Sequence, residues 1–201
     1  MRKSLHLSFT VAALSLIFGP FNANGGPLDS PGAQKALVCS ACHGFGGNSP
    51  GNSMPILAGM APGYFKKAIK DYAEGRRPSP EMEPYAKYVL QAGLDDIAAY
   101  FAEQKKQPPK IKADPKAAKR GAALATQCVA CHGPEGEGDA DRAFPAVSGQ
   151  PPGYLQAQLA IFKEDKRKLE DAALAETKKQ LLKPLSDSDL ADLAAYFSTL
   201  K

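Results

Sequence analysis

The sequence predicts an all-α protein of two tandem units, each built from three to four short helices. Three observations carry that reading. First, the chain repeats itself: "MPILAGMAPGYFKKAIKDYAEGRR" (Met54 to Arg77) matches "FPAVSGQPPGYLQAQLAIFKEDKR" (Phe144 to Arg167) at a constant offset of 90. Second, apolar residues recur at helical spacing, and nothing alternates with period two for long enough to make a strand. Third, a Cys-x-x-Cys-His motif stands once in each copy, at Cys39, Cys42, His43 and at Cys128, Cys131, His132.

The elements follow in chain order. Arg2 and Lys3 precede an apolar run from Leu5 to Phe21 and the polar "NANGG", the layout of a secretory signal peptide over residues 1–24. An uncleaved anchor is the alternative, although His6, Ser8 and Ser15 interrupt the run. Pro31 behind Ser30 can open a short helix that ends at the first Cys-His motif, and Lys119 to Ala130 repeats it. Tyr64 to Glu74 and Tyr154 to Asp165 carry apolar residues at helical spacing. Ser186, followed three positions on by Asp189, reads as a capping box that opens the last helix.

The boundaries are a first unit over 25–106, a linker over 107–118 and a second unit over 119–201. The linker contains Pro108, Pro109 and Pro115, is mostly basic, and reads as an exposed connector. "DIAAYF" and "DLAAYF" match at an offset of 96, so the second copy carries six extra residues between Arg167 and Asp192. Each unit of roughly 80 residues is marginal without something to fill its core.

Net charge excludes little but is informative. The formal charge of +4 gives no reason to expect nucleic acid as a partner. No segment after the leader is long and apolar enough to cross a membrane, so the mature chain is expected to be soluble and exported to the periplasm. Membrane association would come only through partners or an uncleaved leader.

Four cysteines in an exported chain first suggest disulfides, but here a histidine follows each pair at once. On a helix this spacing places two thiols and an imidazole around one turn. The thiols can form thioether bonds to a haem while the histidine ligates its iron. A four-cysteine zinc site would need Cys42 and Cys128 closer in sequence and would leave both histidines without a role. The expected cofactors are therefore two covalently attached haem c groups, held by Cys39, Cys42, Cys128 and Cys131, with His43 and His132 on the irons.

The chain resembles class I c-type cytochromes in tandem, especially the dihaem cytochromes c₄ and the cytochrome subunit of flavocytochrome c sulfide dehydrogenases. The resemblance spans nearly all of the mature chain. It rests on both C-x-x-C-H-G motifs, on "P-x-L-x-G" after the first, on "RRPSPEMEPYAK", and on the "AAYF" of each last helix. It implies that Pro55 and Pro145 offer their carbonyls to the ligand histidines, which would orient the rings and raise their basicity. It also implies that the last helix packs across the first; spacing alone makes Tyr100, Phe101, Tyr196 and Phe197 core residues.

The family uses a methionine sulfur as sixth ligand. The resemblance assigns Met82 to the first haem, while Met54 is expected to pack and Met60 to lie near the histidine-side loop. After Met82 there is no methionine, and His6 leaves with the leader, so the second iron lacks the usual partner. Counting back from the last helix places Lys178 at the vacant position. Counting forward from Arg167 places Ala172 there, and Lys179 and Lys183 are close by. An amine ligates only when deprotonated, which from an ordinary pKa costs roughly 4.6 kcal/mol at pH 7. The alternative is an open or water-ligated iron.

The resulting expectation is an electron-transfer protein and not itself an enzyme. It would carry single electrons between redox partners such as an oxidase, a reductase or a flavoprotein dehydrogenase. The alternatives are an electron-transfer subunit of a larger dehydrogenase and a gas-binding or catalytic protein using an open second haem.

Overall fold

The computed structural model describes residues 28–140 and 144–201, so the signal-peptide reading lies outside the described residues. In the first unit, α1 (Pro31–Ala36) runs through a 3-10 turn into α2 (Ser40–His43); α3 (Pro62–Ala73), α4 (Met82–Ala92) and α5 (Leu94–Glu103) follow. The second unit repeats the order with α6 (Pro115–Leu124), α7 (Val129–His132), α8 (Pro152–Lys163), α9 (Ala172–Leu182) and α10 (Asp187–Thr199). Among the described residues the only extended pairing is an isolated bridge between Asp139 and Phe144.

The helix starts have local causes. Ser30 Oγ accepts from the Ala33 amide at 3.2 Å, and Pro31 occupies the first turn, where its missing N–H costs nothing. α6 begins at Pro115, four residues before the Lys119 start that the sequence suggests. Asp114 caps it, accepting from the Lys116 amide at 3.0 Å, so this proline opens a helix where it was expected to forbid one. At α10 the Asp189 amide donates to Ser186 Oγ at 3.1 Å, and the Ser186 amide donates back to Asp189 Oδ2 at 2.8 Å. The capping box is formed.

The first and last helices of each unit cross at a glycine. A Cβ at Gly32 would lie 2.0 Å from the Asp96 carbonyl oxygen, and one at Gly121 would lie 1.9 Å from that of Asp192. Any side chain there would push α1 off α5, or α6 off α10. Around the first crossing lies an apolar core with Phe65, Ile69, Val89, Ile97 and Phe101. The second core has fewer buried residues, among them Leu155, Leu193 and Phe197. Beside it opens a cavity of about 590 Å³.

Polar contacts join the units. The Gln150 side chain accepts from the Ile56 amide at 2.8 Å and donates to the Ile56 carbonyl at 2.9 Å. Asn52 caps the start of α8, its carbonyl accepting from the Tyr154 amide at 2.8 Å and its Oδ1 from the Gly153 amide at 2.9 Å. The basic stretch expected as an exposed connector is tied down at its start. There Lys106 Nζ donates to the Ser148 carbonyl, and the Gln107 amide donates to Asn48 Oδ1 at 2.8 Å.

Candidate cofactor sites

Each Cys-His motif begins at the junction of the 3-10 turn with the four-residue helix that follows, and ends with that helix, α2 or α7, before a sharp turn. The histidine is followed by glycine with positive φ, 73° at Gly44 and 78° at Gly133, a conformation that a side chain would strain. The turn sends the chain back so that a proline carbonyl meets the imidazole. His43 Nδ1 lies 2.9 Å from the Pro55 oxygen, and His132 Nδ1 lies 2.9 Å from the Pro145 oxygen. With Nδ1–H donating to the carbonyl, the unprotonated Nε2 is free to bind a metal. Burial holds both imidazoles below their ordinary pKa, against a smaller upward pull from the proline carbonyls, and Lys178 adds to the lowering at His132. Both rings are therefore neutral at pH 7, the form a metal requires.

His43 Nε2 is buried without a hydrogen-bond partner, an arrangement that costs stability unless another group meets the atom. Cys39 packs against the first core, and burial pushes its thiol up to about 11. Cys42 is exposed, and none of the four cysteines forms a disulfide. Cys128 packs against the second core. Among the described residues no three His, Cys, Asp or Glu side chains are arranged to hold a metal ion by themselves.

The second site opens on the large cavity, whose wall brings together Cys128, Cys131, His132 and Lys178. Of the positions that the two ways of counting leave open, Lys178 lines the cavity. Ala172 and Lys183 do not line the cavity, and Lys179 turns to Asp165 at 3.4 Å. Lys178 Nζ sits 4.4 Å over the Phe162 ring, and burial, aided by the nearby Arg167 charge, pushes its pKa down to about 8. In the first unit Met82 is the opening residue of α4, its amide held by Ser79 Oγ at 3.2 Å. Met60 packs on the first core and also reaches the wall of the second cavity.

Two features escape the sequence reading. Gly32 and Gly121 match across the repeat seven residues before the first cysteine of each motif, a signal that was there to find. Arg77 and Arg167 also match, but only the seam shows their surroundings. Two thiols and an imidazole on one turn, an orphaned ligand nitrogen and a cavity within the size range of cofactor pockets fit covalent haem.

Fold and sites together define an electron-transfer cytochrome of the c type. Residues 118–201 match the family model "Cytochrome c". The chain is 36% identical over 177 residues to cytochrome c₄ of Pseudomonas aeruginosa, covering 84% of this chain and 87% of that protein. It is 31% identical over 212 residues to the thiosulfate dehydrogenase electron acceptor of Stutzerimonas stutzeri, covering 98% of this chain and 96% of that one. Its structure matches that of reduced recombinant cytochrome c₄ from Pseudomonas stutzeri with a TM-score of 0.75 at 33% identity, over 84% of this chain and 96% of that chain. The chain belongs to the cytochrome c₄ family of dihaem class I c-type cytochromes.

Proposed function

We propose that this protein is an exported, periplasmic dihaem cytochrome that carries single electrons between redox proteins. His43 and Met82 would ligate the first iron, and His132 and Lys178 the second. The observation that carries the reading is the duplicated His–Pro contact, at 2.9 Å in both units. When bound, haem supplies the one-electron couple. The chain supplies covalent anchorage at Cys39, Cys42, Cys128 and Cys131, ring orientation through Pro55 and Pro145, and an apolar surround. A thioether at Met82 favours reduced iron and raises the first potential; nitrogen ligation leaves the second lower.

Placement of Lys178 in the cavity that holds His132 supports its role. With its pKa near 8, removing the proton at pH 7 costs about 1.4 kcal/mol, against the roughly 4.6 of an ordinary lysine. Low-temperature electron paramagnetic resonance of the oxidised holoprotein tests the assignment. Two low-spin ferric signals are expected, and Lys178→Ala should convert the second to high spin and open it to carbon monoxide. One low-spin and one high-spin signal in the unaltered protein would reject Lys178 and favour a gas-binding or catalytic role.

A second reading concerns the partner. Likeness to a thiosulfate dehydrogenase electron acceptor over 98% of the chain favours electron acceptance from an enzyme that oxidises reduced sulfur. Stopped-flow reduction by such a dehydrogenase plus thiosulfate, compared with thiosulfate alone, checks it. Equal rates with and without the enzyme would remove that partner.

A further inference from the structure

The seam between the units buries two arginines that bond to phenol and amide oxygens and lie over aromatic rings, Arg77 4.5 Å from the centroid of Tyr72 and Arg167 4.6 Å from that of Phe162. Arg77 and Arg167 are 2% and 6% exposed. Arg77 Nη2 donates to Tyr154 OH and to Gln158 Oε1, both at 2.7 Å and both in the other unit. Arg167 Nη1 donates to the same Gln158 oxygen at 3.0 Å, and each guanidinium stands 3.5 Å from Tyr64 OH. The Nε of each is buried without a partner. Among the described residues no carboxylate pairs with either guanidinium.

Two buried, always-charged groups with spare donors call for an anion. The planar guanidinium fork matches carboxylate geometry, and a charge left unpaired in a dry site is costly. The tyrosine between them registers the excess. Burial would push Tyr64 up, yet Arg77, Arg167 and Lys178 outweigh it and bring the phenol down to about 7. Arg167, Tyr64, Tyr154 and Gln158 line the cavity that contains His132, and Arg77 stands behind that wall, bonded to Tyr154 and Gln158. Arg77 is placed by its own unit: its amide donates to the Asp71 carbonyl at 2.9 Å, and the buried Asp71 side chain holds Arg76 Nε at 2.9 Å.

We propose that Arg77 and Arg167 form one carboxylate receptor at the seam, and that Arg77, a first-unit residue, neutralises a carboxylate of the haem held by the second unit. The proposal rests on the dihaem reading and uses the two carboxylates that every haem carries on its propionate arms. It makes the second potential depend on a residue of the first unit. A free oxyanion could meet the same guanidinium chemistry, and the test separates the two sources.

The holoprotein is prepared as wild type, Arg77→Gln, Arg77→Lys and Asn52→Ala, and haem per chain is counted first. Fewer than two haems in the wild type would sink the dihaem reading, independently of the receptor. With two present, each midpoint is followed by a redox titration monitored by electron paramagnetic resonance. Removing the positive charge favours ferric iron, so Arg77→Gln should lower the second midpoint by at least the equivalent of a tenfold change in oxidised-to-reduced ratio, about 59 mV. Arg77→Lys should recover most of that shift. Asn52→Ala, which weakens the seam without changing charge, should leave the midpoint in place. An unmoved second midpoint in Arg77→Gln overturns the proposal. So does a saturable sulfate site in the wild-type holoprotein, read by isothermal titration calorimetry at fixed ionic strength, because a filled receptor has no room for a free oxyanion; this arm needs no variant to fold.

Discussion

At the residue scale, His43 and His132 are set by two devices: a positive-φ glycine directly after each and a proline carbonyl 2.9 Å from each Nδ1. The residues proposed to face them are less uniform. Met82 begins α4 and packs on the first core, as Cys39 does. Met82→Ala should lower the first midpoint by more than about 59 mV, a tenfold bias toward ferric iron, and leave the second unchanged; potentiometry checks both. The cysteines and histidines were legible in the sequence because their chemistry needs only neighbours along one turn. Lys178 was ambiguous because six inserted residues made two ways of counting disagree. The fold resolves its placement by turning Lys178 into the cavity and Lys179 toward Asp165.

At the scale of elements, the ends and crossings of helices carry the stability that a small core leaves short. The Ser186–Asp189 box is the clearest case and was readable from four residues. Ser186→Ala should cost about 1 kcal/mol at neutral pH, visible as a lower melting temperature. Hydrogen bonds from the Ser186 side chain and then its amide hold the Asp189 carboxyl below its ordinary value of 3.8. A depressed folded pKa means that this stabilisation is present above the unfolded value and is lost as pH falls through the folded one. The melting difference between wild type and Ser186→Ala should therefore shrink when measured near pH 2. The start of α6 was misjudged because proline was weighed as a breaker; with Asp114 before it, Pro115 is a helix opener.

At the scale of the whole molecule, the two units meet through a seam that the repeat does not announce. Gln150 is 7% exposed and satisfies both backbone groups of Ile56 across it. Gln150→Ala leaves a buried amide and a buried carbonyl unpaired, at a cost of about 1–3 kcal/mol for each such group. Scanning calorimetry should show a lower main transition and a separation of the two units' melting. A single unshifted transition would show that the seam contributes little to cohesion. Met60 illustrates why this level was hidden: expected beside its own histidine-side loop, it also lines the cavity of the other unit.

The sequence by itself determined the helical class, the duplication, both Cys-His motifs and the absence of a methionine after Met82. These are patterns of spacing and composition, carried by residues close together along the chain. Only the tertiary structure decided which lysine enters the second cavity, that glycines let the terminal helices cross in contact, and that Arg77 turns to the residues of the other unit. Those outcomes depend on where distant segments meet, and on the burial that makes an unpaired nitrogen or guanidinium costly.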